Sequence, residues 1–305
     1  MSIGGGMCVG CLQGALHEGQ TTGTIEKVHG FDTYVARPQT SSPATIILLS
    51  DGFGWATPNA RLTADRFASR TGTTVYLPDL TANHPLPSWL RSLPLCEIRN
   101  NWHSPHALLL KPWYLFWVIL GLLPFRIVNG ISRSHIRVRR FVAAVRNSAE
   151  GRVLGIAGFC WGGKHAFLLS AAKNPDRGTD TEDAGKEYLV DFAFAGHPSH
   201  VVLPGDVTHL VCPVSVAMGT EDFMNPLPFS KRMQELLAAK TGRAAGSELV
   251  LYDGGNHGFA CRADLSDERL RDCAQGAEDQ FVGFVARMAE KLRPGDTDTS
   301  NYVEC

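Results

Sequence analysis

The chain has 305 residues, 44% of them hydrophobic and 19% charged, and its formal net charge at pH 7 is −1. This composition is typical of a globular protein with a sizeable core, and the small net charge gives no field that would attract nucleic acid or an anionic membrane. Eight scattered cysteines, and a start without a basic and apolar leader, favour a cytoplasmic protein with free thiols.

Three parts are predicted along the chain. Residues 1–23 form an N-terminal loop segment, residues 24–293 a single α/β domain, and residues 294–305 a loose C-terminal tail. Cys8 and Cys11 form a C-x-x-C pair near His17, but no second pair follows at the spacing of a zinc site. We therefore expect no metal and no other cofactor, in a monomer or a homodimer without nucleic-acid or membrane partners.

Short apolar strands alternate with helices in the first part of the domain. Residues 24–28 and 31–36 predict a hairpin, residues 45–50 and 73–77 predict buried strands, and residues 59–69 predict a helix. Such alternation is typical of a mostly parallel sheet covered by helices on both faces.

Residues 81–130 interrupt this alternation. They contain six prolines, and the apolar run over residues 113–123 is too short, and too closely bounded by prolines, to cross a bilayer. The run could be a lid over an active site, a patch at a membrane surface or an ordinary core helix. We favour the lid, with Trp113 and Trp117 binding substrate, because insertions at the carboxyl edge of such sheets build substrate pockets.

An amphipathic helix over residues 134–147 follows the insertion. Its spacing predicts that Ile136, Phe141 and Val142 face the core. Arg146 and the other arginines of this helix are expected to lie mostly on a solvated face.

A strand, a sharp turn and a helix then follow one another over residues 153–172. The apolar strand over residues 153–157 leads into Gly158-Phe159-Cys160-Trp161-Gly162-Gly163, and helix-forming residues come next. This is the context of a nucleophile elbow, G-x-S-x-G, with cysteine in place of serine. The glycines leave room for a strained turn, and the N-terminus of the helix favours a thiolate. The competing interpretation is a buried cysteine at a tight packing point.

The rest of the chain predicts three more strands, each followed by a polar turn. They cover residues 188–195, 211–218 and 248–252, and helices are predicted over residues 229–240 and 274–292. The turns carry His197, Asp222 and His257 respectively. Because the carboxyl ends of parallel strands share one edge of a sheet, we expect these side chains to converge there.

Cys160, Asp222 and His257 follow in the chain order of an α/β-hydrolase triad, nucleophile, acid and histidine. Cysteine must be a thiolate to attack, histidine would act as base and acid, and Asp222 would hold the imidazole tautomer and stabilise the imidazolium. The alternatives are that His257 merely lies in a glycine-rich turn, and that Asp222 caps a helix while Glu221 or Asp253 takes the acid role.

The remaining site residues are expected around this triad. An oxyanion hole needs two backbone amides, and we assign them to Trp161 and Gly52. Asp51 follows a buried strand directly, and it could bond the Cys160 thiol, pair with an arginine or cap the turn. We favour an active-site role for Asp51. It belongs to the predicted substrate-binding set, which Phe53, Trp55, His197 and Arg262 complete.

These motifs resemble the dienelactone hydrolase family, and the likeness runs from about residue 29 to residue 292. The residues that carry it are Tyr34 to Pro38, Leu49 to Trp55, Gly158 to Gly163, Asp222 and Gly255 to Phe259. Residues 14–19 and the Phe-Cys-Trp elbow are similar to the fungal branch. The resemblance implies an α/β-hydrolase fold and a Cys–Asp–His triad that hydrolyses an activated ester such as an enol-lactone.

The chain departs from the bacterial members of that family at two positions. A glutamate stands there in place of Asp51, and an arginine four residues after the histidine binds the substrate carboxylate. Here that position is Cys261, and Arg262 follows it. The resemblance therefore leaves the control of thiol ionisation and the recognition of a carboxylate open.

We expect a hydrolase of a hydrophobic lactone or ester, dienelactone-like or polyketide-derived, as in fungal secondary metabolism. One alternative is an isomerase or cyclase on the same fold that uses His257 and Asp51 as proton shuttles. Another is a lipid- or partner-binding protein that works through residues 113–123. The intact triad argues against this last possibility.

Overall fold

One sheet runs through the part of the chain that the structure describes. The structure is a computed structural model, and it describes residues 14–39, 44–92, 105–148, 153–174 and 187–292. The strands are β1 (Thr24–Val28), β2 (Phe31–Ala36), β3 (Ala44–Leu49), β4 (Thr74–Pro78), β5 (Val153–Phe159), β6 (Phe192–Gly196), β7 (Val214–Glu221) and β8 (Glu248–Asn256). Their order in the sheet is β1-β2-β4-β3-β5-β6-β7-β8. The β1–β2 and β2–β4 pairs are antiparallel and the others parallel, which confirms the predicted mostly parallel sheet.

Helices cover both faces of this sheet. They are α1 (Pro58–Thr71), α2 (Pro105–Asn129), α3 (Ile131–Ser148), α4 (Trp161–Ser170), α5 (Gly205–Thr208), α6 (Leu227–Ala238), α7 (Phe259–Arg262) and α8 (Glu268–Lys291). Side chains of a strand alternate between its two faces. In β3, Ile47 and Leu49 belong to the core beneath α2, α3, α4 and α6, whereas Ile46 and Leu48 belong to the core beneath α1 and α8.

The segment before β1 is a loop that lies against α1 and α7. The Ala15 amide donates to the Arg262 carbonyl at 3.0 Å, and the Asn59 side chain donates to the Ala15 carbonyl at 2.9 Å. Residues 14–23 have no regular secondary structure. Residues 1–13 and the tail predicted over residues 294–305 lie outside the described residues.

The sequence predicted that prolines bound the apolar run over residues 113–123, but in the structure the helix continues through the prolines on both sides of this run. Pro112 and Pro124 both lie inside α2, which spans 25 residues. A proline inside a helix removes one backbone donor and costs about 3 kcal/mol. Packing offsets this cost, since Leu122 and Phe125 are buried in the larger core.

Two expectations for α3 were wrong. Ile136 is 72% exposed, because the buried line of the helix runs through Ser134, Val138 and Phe141 and leaves Ile136 on the outer face. Arg146 is buried, and its guanidinium pairs with the Asp191 carboxylate at 2.8 Å. Periodicity alone predicted neither, since the partner of Arg146 comes from a distant part of the chain.

Among the described helices, none is by itself both long enough and apolar enough to cross a bilayer. The stretch Leu115–Asn129 and α3 pass such a test only as a pair, and they are bent by 52° where they meet.

Candidate active site

Cys160 occupies the sharp turn between β5 and α4. Its backbone has φ +50° and ψ −110°, a conformation that side-chain-bearing residues rarely adopt. Space around the turn exists only because glycines flank it. A Cβ on Gly158 would lie 2.3 Å from the Gly162 carbonyl oxygen, and one on Gly162 would lie 2.4 Å from the Leu49 carbonyl oxygen. The turn therefore holds the sulfur in a fixed position at the carboxyl edge of the sheet.

The close backbone contacts around Gly158 predict how a larger side chain there changes the stability of the protein. Gly158→Ala is expected to destabilise the protein by about 2–3 kcal/mol and to lower its melting temperature by several degrees, because the new methyl group would press against backbone. Gly205→Ala is the matched control, since a Cβ there would meet nothing within 4 Å. Thermal unfolding of both variants measures the difference, and equal melting temperatures would contradict the packing argument.

His257 and Asp222 approach the sulfur from two neighbouring parallel strands. Glu221 at the end of β7 pairs with Asn256 at the end of β8, so the residues that follow them are adjacent. His257 Nε2 lies 3.3 Å from Cys160 Sγ. On the other side of the ring, Nδ1 lies 3.0 and 2.9 Å from the two carboxylate oxygens of Asp222. All three side chains are buried.

The Asp222 carboxylate is itself held by backbone donors. The amides of Met224 and Asn225 donate to its Oδ1 at 2.8 and 3.3 Å. The Asn225 side chain donates to the Pro198 carbonyl at 2.7 Å, which ties this loop to the turn after β6. The carboxylate is thus fixed in the orientation that receives the Nδ1 proton of His257.

The electrostatics of the cluster favour a charged imidazolium. Burial is the largest influence on His257 and lowers its pKa, but it is outweighed by the charge on Cys160 and the hydrogen bonds to Asp222 and Cys160. Together they raise the pKa of His257 from 6.5 to about 9. The arrangement can therefore hold a thiolate–imidazolium pair at neutral pH.

Asp51 forms an ion pair with Arg262 beside this cluster. Arg262 Nε lies 2.8 Å from Asp51 Oδ2, and both side chains are almost wholly buried. The Phe53 amide donates to Asp51 Oδ1 at 2.9 Å. Two of the three roles considered for Asp51, arginine pairing and turn capping, thus occur together. Cys261 Sγ lies 3.9 Å from the same carboxylate, and burial raises the pKa of Cys261 strongly, so it stays a thiol.

The two residues predicted to supply the oxyanion hole both line the cavity. Gly52 and Trp161 line the same cavity as Cys160. The Phe53 amide is occupied by Asp51. Among the backbone hydrogen bonds of the described turns and loops, neither the Gly52 amide nor the Trp161 amide is a donor.

The insertion over residues 81–130 supplies part of the lining of the cavity that contains Cys160. Its lining residues are Gly52, Phe53, Leu86, Phe125, Arg126, Asn129, Gly130, Ile131, Cys160, Trp161, Ser199, His200, Met224 and Arg262. Five of these, from Leu86 to Gly130, belong to the segment predicted as a lid. The indole Nε1 of Trp161 donates to the Asn129 carbonyl at 3.0 Å, so α2 is joined to the elbow directly.

Five of the predicted substrate-binding residues do not line this cavity, and one of them is Asp51, which is held by Arg262 and the Phe53 amide. Trp55 lies beneath the Arg61 guanidinium. Trp113 is 58% exposed on α2, and Trp117 is half-buried among other aromatic rings. His197 is buried behind His257, with ring centroids 5.1 Å apart, and burial lowers its pKa well below the usual value.

Several lining residues gave no sequence signal. Leu86, Phe125, Arg126, Asn129, His200 and Met224 lie in the insertion or in turns where neither periodicity nor a motif marks them. The path of the insertion over the sheet edge brings the first four to the cavity, and the turns after β6 and β7 bring His200 and Met224. Within the described part of the chain, no group of three or more His, Cys, Asp or Glu side chains is placed to hold a metal ion.

Comparison with known proteins gives consistent likenesses. Residues 130–286 match the family model described as "Dienelactone hydrolase family". Hydrolase pyvD of Aspergillus violaceofuscus is 26% identical over 282 residues, which cover 92% of this chain and 96% of the relative. Dienlactone hydrolase 1 of Gibberella moniliformis is 25% identical over 282 residues, with 90% of each chain covered.

The fold agrees with solved structures. A Klebsiella pneumoniae protein assigned as a dienelactone hydrolase superposes with a TM-score of 0.57 at 21% identity, covering 88% of this chain and 98% of that one. At this identity the likeness concerns the fold, which is the α/β-hydrolase fold that the sequence predicted.

Proposed function

The chain belongs to the dienelactone hydrolase family, and from this premise we propose that it hydrolyses an activated ester or lactone through a thioester on Cys160. The observation that carries the proposal is the row of three buried side chains, with 3.3 Å from sulfur to imidazole and 2.9 Å from imidazole to carboxylate. No other arrangement among the described residues combines a strained nucleophile position, a histidine base and an orienting acid.

The first half-reaction forms the thioester. The Cys160 thiolate attacks the carbonyl carbon, and the oxyanion that develops accepts hydrogen bonds from the Gly52 and Trp161 amides. The His257 imidazolium gives its proton to the leaving oxygen as the carbon–oxygen bond breaks. In a lactone this oxygen stays attached to the acyl chain, and good leaving groups such as enols or phenols favour the step.

The second half-reaction restores the enzyme. Neutral His257 takes a proton from water, which attacks the thioester carbonyl and expels the thiolate. Asp222 stabilises the imidazolium that forms again. The product is a carboxylic acid, and each turnover consumes one water.

The lining of the cavity favours a hydrophobic substrate with one polar end. Phe53, Leu86, Phe125 and Met224 supply apolar walls, and Arg126 stands among them as a cation. Arg262 is held by Asp51, so Arg126 is the better candidate to meet a phenolate or carboxylate oxygen. A polyketide-derived lactone or aryl ester fits this description.

The isomerase or cyclase alternative receives less support. It requires Asp51 to shuttle protons, yet its carboxylate is bound by Arg262 and by the Phe53 amide. A carboxylate held in this way is a poor base, because a nearby cation favours its charged form.

Product mass decides between the two reactions. The protein is expected to convert members of a panel of enol-lactones and aryl esters to products heavier by one water, about 18 Da, with an initial burst that iodoacetamide abolishes. Electrospray mass spectrometry of the product and of the trapped acyl-enzyme measures both. A product of unchanged mass would replace hydrolysis by isomerisation, and turnover that survives complete alkylation of Cys160 would rule out the thioester.

A further inference from the structure

Helix α2 presents an apolar face to the outside of the molecule. Seven large hydrophobic side chains on it are each about half or more exposed, at 49–59%. They are Trp113, Leu115, Phe116, Ile119, Leu120, Leu123 and Ile127. At 100° per residue these positions lie on one continuous side of the helix, where an ordinary surface helix carries polar residues. A contiguous exposed patch of this size marks an interaction surface.

The opposite side of α2 is fixed to the body of the protein. Leu122 and Phe125 are buried in the larger core, and Val118 packs against that core. Trp161 on the elbow helix bonds the Asn129 carbonyl at the end of α2. Because this inner side holds α2 in place, the helix cannot rotate to bury its outer apolar face in the core. We therefore look for a partner that covers this face.

The charge around this face indicates which partner. Residues 105–148 contain one lysine and six arginines and no aspartate or glutamate, in a chain whose net charge is −1. Arg126, Arg133 and Arg140 are exposed, and none of them takes part in an ion pair with a carboxylate of the described residues, whereas Arg133 also donates to the Ile127 carbonyl at the end of α2. Arg126 and Arg133 line one open groove beside Ile127, where the apolar face ends.

We propose that α2 docks on the surface of an anionic lipid bilayer, with its apolar face among the headgroups and first acyl carbons and with Arg133 and Arg140 at the lipid phosphates. Apolar and aromatic side chains flanked by exposed arginines are the pattern of interfacial helices. The inner face of α2 stays in the core, so the helix lies along the membrane rather than across it.

This docking would open the catalytic cavity toward the bilayer. Phe125, Arg126 and Asn129 line the cavity from the same helix, and Arg126, Gly130 and Ile131 are shared with the groove. A hydrophobic ester dissolved in the membrane would then reach Cys160 without crossing water. The inference departs from the expectation of no membrane contact, because that expectation used the net charge of the whole chain and so averaged out a strongly basic segment.

Vesicle flotation of the full-length protein tests the proposal. We expect it to bind vesicles of phosphatidylcholine with about 30% phosphatidylglycerol at least tenfold more tightly than vesicles of phosphatidylcholine alone, and to be released by high salt. Arg133→Gln with Arg140→Gln is expected to weaken this binding about tenfold. Phe116→Glu with Leu120→Glu is expected to abolish it.

The matched control is a variant with two glutamates in place of apolar residues that are equally exposed but lie outside α2. Leu16 and Ile25 are 57% and 56% exposed and precede or lie in β1, away from α2. Leu16→Glu with Ile25→Glu should bind vesicles like the wild type. Circular dichroism and hydrolysis of a water-soluble ester without vesicles should be equal for all variants, which shows that they are folded and keeps the test independent of the proposed catalytic role.

Three results would overturn the proposal. The first is equal binding to neutral and anionic vesicles, and the second is flotation of the Phe116→Glu, Leu120→Glu variant at the wild-type level. The third is a wild-type protein that binds no vesicles and sediments as a dimer in analytical ultracentrifugation, while the Phe116→Glu, Leu120→Glu variant sediments as a monomer. A second copy of the chain would then cover the apolar face.

Discussion

Replacing Cys160 with alanine is expected to lower kcat for the best ester or lactone of the panel by about 10⁴- to 10⁶-fold. The alanine removes the sulfur on which the proposed thioester forms, while Gly52 and Trp161 stay in the cavity lining. A residual rate above that of water alone, of about 10³-fold, would be the contribution of those amides and of binding. The measurement is a single-turnover and steady-state assay on the purified variant.

The matched control for this variant is Cys212→Ala. Burial raises the pKa of the Cys212 thiol to about 12, and the side chain lies in the core, with Sγ 3.8 Å from the Ser170 carbonyl. Losing it should leave kcat within about twofold of the wild type, since it touches neither the cavity nor the triad. If Cys160→Ala kept more than a tenth of the wild-type kcat and remained folded, the thioester mechanism would be wrong.

The proximity of Cys160, Asp222 and His257 could be predicted from short sequence signals. Gly158, Gly162 and Gly163 mark a turn that only glycines permit, and apolar strands ending just before Asp222 and His257 place both residues at one sheet edge. Those signals are local in sequence, and the parallel sheet converts them into proximity. For that reason 97 positions separate Cys160 from His257 along the chain, and only 3.3 Å separate Sγ of the one from Nε2 of the other.

What could not be predicted depends on partners that are distant in sequence. Periodicity predicts an exposed Arg146, because the residue that pairs with it in the core, Asp191, lies 45 positions away and carries no motif. The prolines of the insertion predict breaks on both sides of the apolar run. The helix α2 nevertheless continues through Pro112 and Pro124, because its inner side packs on the core. Trp113 was expected to face a substrate, but the register of α2 turns it outward and brings Phe125 to the cavity instead.

A second large effect is expected when His257 is replaced by asparagine. The variant should lose about 10⁴-fold in kcat, because both the proton donor for the leaving group and the base for water are removed. Its Cys160 should also lose the ion-pair partner that stabilises the thiolate. The rate of Cys160 alkylation by iodoacetamide therefore reports the pair without any substrate.

The pH dependence of this alkylation follows from the direction of the His257 shift. The pKa of His257 is raised, from 6.5 to about 9, so the imidazolium and its stabilisation of the folded state are fully present below pH 6.5 and are lost as the pH rises through about 9. In the wild type, alkylation should already be near its plateau at pH 7. In His257→Asn the thiol should titrate near or above the ordinary 8.5, so alkylation at pH 7 should be at least about 30-fold slower than in the wild type.

Asp222→Asn separates the two contributions of His257. The asparagine keeps the shape of the side chain but removes the charge that holds the Nδ1 proton, and the Met224 and Asn225 amides can still bond its oxygen. We expect kcat to fall by up to about 10⁴-fold through loss of the correct tautomer. Alkylation at pH 7 should slow less than in His257→Asn, because an imidazole still faces the sulfur. If instead both variants alkylated at the wild-type rate at pH 7, the charge on Cys160 would not depend on His257, and the pairing on which the proposed mechanism rests would have to be abandoned.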